Sequence, residues 1–267
     1  MTKNRLPGRL YTALIMLFLY APIFVLIVFS FNATKSRTVW AGFSLKWYTA
    51  LLRDKQILGA FYTTLAVSLI SAAVSTVIGT FAAIGLFDMK RKLRSPVLFV
   101  NNIPLVNADI ITGVAMCMLF VALGTFLKFK LGFGTLLIAH VTFNIPYIIL
   151  SVMPKLRQLD GNLLDAGRDL GCTWFGTLWR VIFPEIMPGI INGALIAFTM
   201  SIDDFVISYF TAGSDVETLS MSVYSMTRKR ISPEVNALST LLFVTVLILL
   251  LAINIRSRGQ NKSPETR

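Results

Sequence analysis

The sequence predicts an all-α membrane protein, a bundle of six transmembrane helices with almost no soluble domain. Three observations carry this. Of the 267 residues, 55% are hydrophobic and 14% charged. The apolar residues gather in six stretches, each at or above the roughly 20 residues that cross a hydrocarbon core of about 30 Å. Nothing shows the alternation, over segments of about ten residues, that marks a membrane β-barrel.

The elements follow in order. Residues 1–9 are a short basic tail. The first span, Leu10 to Phe31, is too long for a signal-peptide core, and no small-x-small cleavage site follows it, so it is read as a retained flanking anchor. An external loop, 32–60, holds Trp40, Gly42, Phe43, Trp47 and Tyr48. These aromatics fit either an interfacial belt or a wall for an incoming cation. The second span runs from Phe61 to Phe87, the third from Val97 to Gly124 and the fourth from Leu131 to Met153. A polar segment, 154–185, separates them from the fifth, Ile186 to Ala212. Between Asp215 and Pro233 an amphipathic helix places Leu219, Val223 and Met226 on one side. Ser232 and Pro233 then suit the cap and first turn of the sixth span, Val235 to Ile255, and residues 256–267 form a tail.

The net charge of +12 would suit a nucleic-acid partner, but its distribution excludes one. Lys3, Arg5 and Arg9 precede the first span; Lys90, Arg91, Lys92 and Arg94 follow the second; Arg256, Arg258, Lys262 and Arg267 follow the sixth. Basic clusters at span ends on one face are the positive-inside pattern, which makes both termini and segment 154–185 cytoplasmic. Lys35, Arg37, Lys46, Arg53 and Lys55 lie in the longer external loop, where the rule carries less weight. The two cysteines, Cys117 in a span and Cys172 outside one, suggest neither a disulfide framework nor a metal site.

Segment 154–185 is too polar to cross a bilayer, yet Trp174, Leu178, Val181 and Ile182 share a helical face. A short helix from Leu163 to Leu170 is expected to end at Gly171 in a left-handed cap. Thr173 should cap a second helix that stops before Pro184. The result is either a knob to be gripped from outside the bilayer or an interfacial hairpin with no partner. The run Asp165-Ala166-Gly167, three residues, Gly171, nine residues, Val181-Ile182-Phe183-Pro184 resembles the loop of bacterial ABC-importer permeases. That loop reads Glu-Ala-Ala, three residues, Gly, nine residues, Ile, any residue, Leu-Pro. This chain departs at Asp165, Gly167, Val181 and Phe183, each close in chemistry, although Gly167 loosens a helix by about 1 kcal/mol. The resemblance implies a cytoplasmic coupling helix, with Asp165, Ala166, Gly167, Asp169, Gly171 and Pro184 docking on an ATPase.

Four ionisable residues fall within the spans: Asp109, His140, Asp203 and Asp204. A carboxylate at mid-bilayer costs about 2.5–3.5 kcal/mol on insertion scales, so it faces a cavity or a partner. No Lys or Arg sits in these spans to neutralise the acids. Counted along continuous helices, Asp109 lies roughly 20 Å and Asp203 and Asp204 roughly 27 Å from the cytoplasmic ends of their spans. Asn102 and Asp109, seven apart, should share a helix face. Asn101, Pro104 and Asn107 interrupt the apolar run, and irregular polar backbone at depth belongs beside a cavity. Asp203 and Asp204 also fit a helix end in water, and His140 fits a satisfied interhelical contact better than a functional group.

Further strings resemble one subgroup: Leu45-Lys-Trp-Tyr48, Asn107-Ala-Asp109, Ser201-Ile-Asp-Asp-Phe-Val206, Ser222-Val-Tyr-Ser-Met226 and Ile231-Ser-Pro-Glu-Val-Asn-Ala237. Together they are similar to the permease subunits of spermidine/putrescine ABC importers, nearly end to end, with Ala108 standing where that family is expected to carry Pro. The resemblance implies a type I, MetI-like permease core over residues 61–255 in a bacterial inner membrane. It implies a heterodimer with a sister permease, a cytoplasmic ATPase dimer docking on residues 154–185, and an external polyamine-binding protein. It implies that Trp47, Asp109, Asp203 and Asp204 line the polyamine path, and that ATP and magnesium belong to the ATPase. No Gly-rich phosphate loop occurs here, in agreement with a subunit that carries no cofactor and catalyses nothing. Other readings are an importer of another small cationic or polar solute, or a secondary cation transporter. The latter would show inverted repeats and no coupling knob. An intramembrane aspartyl protease would show Tyr-Asp and Gly-x-Gly-Asp, whereas Asp109 follows Ala108 and Asp203 follows Ile202.

Overall fold

A backbone surrounded by hydrocarbon must satisfy each N–H and C=O within its own segment, which favours helices. The computed structural model describes residues 6–34, 39–159, 171, 173–229 and 233–260. Within them run α1 (Leu6–Ser30), α2 (Lys46–Leu51), α3 (Lys55–Asp88), α4 (Arg91–Val106), α5 (Asp109–Leu127), α6 (Phe133–Arg157) and α7 (Trp174–Ile202). After these come α8 (Val206–Thr211), α9 (Leu219–Lys229) and α10 (Pro233–Gln260). Among the described residues, five helices are long and apolar enough to cross a membrane: α1, α3, α5, α6 and α7. The expected sixth span falls in α10, where the apolar run Pro233–Ile248 is shorter.

Two expected spans are not continuous. The third is broken at Asn107 and Ala108, both extended, into α4 and α5. Asn102 and Asp109 therefore sit on different helices, and Asp109 opens α5 instead of lying inside a longer one. Pro104 and the flanking asparagines make this local: Pro supplies no N–H, and Asn satisfies backbone outside a helix. The fifth expected span ends at Ile202 and resumes at Val206, leaving Asp203, Asp204 and Phe205 between helices. At its other end it starts earlier than expected. The helix capped by Thr173 does not stop before Pro184 but continues to Ile202. Residues Leu178–Ile182 form a π-turn in which the Phe183 N–H bonds to the Leu178 carbonyl. That wider turn lets a proline enter at the next position, since the missing N–H is taken up by the altered register.

The chain forms two units, residues 1–58 with 222–247 and residues 59–221 with 248–267. In the first, Asn32 organises the loop after α1. Its Nδ2 donates to the Val39 carbonyl at 2.9 Å and its Oδ1 accepts from the Ala41 N–H at 3.0 Å. The ring of Phe31 stacks on Phe43 at 5.1 Å, and Ser30 Oγ meets the Tyr48 hydroxyl at 2.6 Å.

In the second unit α6 is the central helix, with Leu136, Ala139, Ile148 and Val152 fully buried. α7 lies close against it because Gly189 and Gly193 present no side chain. A Cβ at Gly193 would stand 3.2 Å from both Ile148 Cδ1 and Ser151 Cβ. Ser151 Oγ donates to the Gly189 carbonyl at 2.9 Å across the same seam. Small residues spaced by four allow this approach where no hydrophobic effect drives helices together. α3 joins at Gly79, where a Cβ would fall 2.7 Å from that of Ile148.

Candidate functional site

The two helix breaks bring the acids to nearly one level. A Cβ on Gly113 of α5 would lie 3.0 Å from the Phe210 ring and 3.4 Å from the Val206 carbonyl of α8. Farther along, Gly213 abuts Leu131, just past the end of α5, so α5 and α8 run in the same direction. Asp109 stands one turn before Gly113, and Asp203 one short step before Val206. Both side chains are exposed, and among the described residues neither is in an ion pair. Asp109 is in the first turn of α5, at the helix N-terminus. Asp203 caps the C-terminus of α7, where the last carbonyls lack helical partners and the negative dipole end accumulates. A carboxylate added to that end makes a place that attracts cations.

Asp204 has a different role from Asp203. Its Oδ2 accepts from the Ser208 N–H at 2.8 Å and the Ser208 hydroxyl at 2.9 Å, and its Oδ1 from the Ile207 N–H at 3.3 Å. It thereby caps the start of α8. Its Oδ2 also lies 3.5 Å from His140 Nε2 of α6. A sequence scan for Lys and Arg overlooks a histidine supplied by another helix.

His140 is buried and completes a polar chain. Its Nδ1 is 2.6 Å from Ser201 Oγ and its Nε2 3.1 Å from Ser208 Oγ. Ser201 in turn meets Ser71 Oγ of α3 at 3.1 Å, and Asn144 Nδ2 reaches Ser71 at 3.5 Å. One tautomer satisfies these partners. Asp204 only accepts, so Ser208 donates to it and accepts from His140 Nε2–H; Nδ1 then accepts from Ser201. His140 is thus the satisfied interhelical residue expected of it, and it is also the clamp on the break. Ser71, Ser201 and Ser208 carried no signal of this in the sequence, since an isolated serine in a span reads only as a small residue.

Trp47 is buried in the other unit. Its Nε1–H donates to the Asn32 carbonyl at 2.7 Å, and the Lys46 ammonium covers its ring at 4.5 Å from the centroid. Lys46 also donates to the Ala33 carbonyl. The indole here anchors the loop after α1, with a cation of the chain itself already on its face.

Of the expected coupling residues, Asp165, Ala166, Gly167 and Asp169 lie outside the described residues. Gly171 has φ +76°, the left-handed conformation expected for a helix cap. The Thr173 hydroxyl accepts from the Gly176 N–H at 3.2 Å, so the expected cap forms. Leu178 is buried while Trp174, Phe175 and Trp179 are exposed, and Trp179 stacks on Phe183 at 4.5 Å. Pro184 follows the π-turn and is exposed.

Residues 75–259 match the family described as binding-protein-dependent transport system inner membrane component. The chain belongs to this family. It is 35% identical over 262 residues, 98% of this chain and 97% of the relative, to the spermidine/putrescine transport system permease protein PotC of Escherichia coli K12. It is 39% identical over 246 residues to the putrescine transport system permease protein PotI of the same strain, covering 91% of this chain and 88% of that one. A subunit of a bacterial ABC transporter involved in import of the acidic polysaccharide alginate superposes with a TM-score of 0.72 at 15% identity, covering 95% of both chains. The likeness to solved importers establishes the permease fold expected from the sequence. An alginate importer shares it, so the backbone plan does not by itself set the charge of the solute.

Proposed function

We propose that this permease is half of the membrane channel of an ATP-driven polyamine importer. The near full-length likeness to PotC and PotI carries the substrate class. What supports a path for it is the pair of exposed carboxylates, Asp109 and Asp203, each beside a helix break. A polyamine is a flexible chain of ammonium groups, and carboxylates spaced along a path hold such a chain in turn without trapping it. In this reading Asp109 and Asp203 contact the solute, Asp204 and His140 hold the break in shape, and Trp47 fixes the loop near the first helix. A sister permease completes the path, and an external binding protein delivers the polyamine. Two ATPase subunits grip residues 154–185 on the cytoplasmic side, where both termini also lie. Hydrolysis and its magnesium stay on those subunits.

The test is reconstitution. The chain is co-expressed with the sister permease, ATPase and binding protein of its importer, and the complex is placed in proteoliposomes with ATP on the ATPase side. Radiolabelled spermidine or putrescine should accumulate only with ATP and the binding protein present. Uptake that proceeds without ATP would identify a secondary carrier. ATPase stimulation by a different solute, with neither polyamine taken up, would remove the substrate assignment.

A further inference from the structure

At the end of the bundle where α3 stops and α6 stops, a cavity of about 580 Å³ is lined by Phe87, Arg91, Arg94, Ser95, Leu98 and Arg157. Three guanidinium groups from two helices converge on it, and among the described residues none pairs with a carboxylate. The neighbouring Lys90 and Lys92 are exposed and add to the positive field. Guanidinium groups bind phosphate oxygens in pairs of hydrogen bonds, so an unpaired cluster of this kind suits a phosphate.

α4 extends this into the shape of an amphiphile. Its first turn carries Arg91, Lys92 and Arg94, and residues 95–106 carry no charge. None of its residues is buried, and Phe99 and Val106 are 72% and 89% exposed. A second hollow of about 400 Å³ lies farther along, against Phe99, Asn102, Ile103, Val106 and Asn107. Twelve uncharged helical residues extend roughly 18 Å, slightly more than half of a hydrocarbon core of about 30 Å, which is the depth of one leaflet. A free phosphate has no use for the exposed Phe99, Ile103 and Val106 along that length; a phospholipid does.

We propose that the cavity between α4 and the end of α6 is a site for an anionic phospholipid, its headgroup phosphate held by Arg91, Arg94 and Arg157 and an acyl chain lying along α4. Basic pockets between spans on the cytoplasmic side are suited to such headgroups. The inference goes beyond the transport reading and does not depend on which solute is carried.

The intact importer complex, stripped of lipid in detergent, is offered phosphatidylglycerol, and retained lipid is counted by native mass spectrometry. Phosphatidylcholine is the neutral control and inorganic phosphate the competitor. Arg94→Gln/Arg157→Gln takes one arginine from each helix, and Lys128→Gln/Lys130→Gln removes the same charge elsewhere. Wild type and the lysine variant should retain phosphatidylglycerol over phosphatidylcholine, and the arginine variant should lose at least about tenfold. If that variant fails to assemble, Arg157→Gln alone is measured and should lose about fivefold. Equal loss in the lysine variant would overturn the site. Displacement by millimolar phosphate as effective as by added lipid would assign the cavity to a free anion. Loss of the sister permease with lipid retention unchanged would assign the arginines to a protein contact.

Discussion

Asp203 and Asp204 are adjacent in sequence and opposite in circumstance. Asp203 is exposed at a helix end with no side-chain partner among the described residues, whereas Asp204 is held by Ile207, Ser208 and His140. Substitution should separate them. Asp203→Asn and Asp109→Asn keep size and remove charge, and each should lower spermidine and putrescine uptake at unchanged complex abundance. Asp204→Asn weakens the cap on α8 and should cost about 0.5–2 kcal/mol of stability, read as a lower melting temperature of the purified complex. His140→Ala leaves Ser201 and Asp204 without their shared partner and should cost about 1–3 kcal/mol. Equal uptake losses at unchanged melting temperature for Asp203→Asn and Asp204→Asn would end the division of roles. Unchanged melting in His140→Ala would remove the clamp.

The elements hold the breaks in place, and here the sequence was readable to different degrees. The left-handed Gly171 and the Thr173 cap follow from local chemistry, so residue types alone indicated them. Nothing lies within 4 Å of a Cβ at Gly171, so its constraint is backbone conformation and not space. Gly171→Asn should therefore keep complex yield and uptake, while Gly171→Val strains the cap by roughly 1–2 kcal/mol and should impair either assembly or coupling. Comparable loss in both variants would mean that space, not φ, matters there. The tight α6–α7 seam predicts that Gly193→Leu destabilises the chain by about 1–3 kcal/mol, seen as reduced yield and melting temperature. The π-turn before Pro184 was not legible, because proline in sequence marks a place where a helix stops or changes register without saying which. The polarity of Asn101, Asn102 and Asn107 did signal irregular backbone, but apolar length alone joined α4 to α5 across it. His140 could be recognised as an interhelical contact; its partners required the fold.

For the whole molecule, composition indicates the membrane class and the basic clusters give an expected orientation, since both depend on sums over many residues. Orientation is directly measurable. In a chain with Cys117 and Cys172 replaced, Lys90→Cys should react with a membrane-impermeant thiol reagent only after permeabilisation, and Asp215→Cys should react in intact cells. Labelling of position 90 from outside would invert the arrangement. The solute is a property of a few charged positions on this plan. The same fold serves an alginate importer, and in the proposed reading the acids at the two helix breaks are what would favour a cation over an anion.

α7 runs for 29 residues, about 43 Å, from its Thr173 cap to Asp203, and from Pro188 onward, past the π-turn and both prolines, it is a regular helix to Ile202. Such a rod converts angle into distance. A swing of about 10° about the Thr173 end carries the Ile202 end through roughly 7 Å, more than the width of an ammonium group with its contacts. In the proposed transport reading, a push at the Thr173 end would reach the Asp203 end without a relay of side-chain rearrangements. The stroke is set by the length of the rod, and its fidelity by stiffness. Any joint introduced between Gly193 and Ile202 would shorten the throw before it weakened the fold.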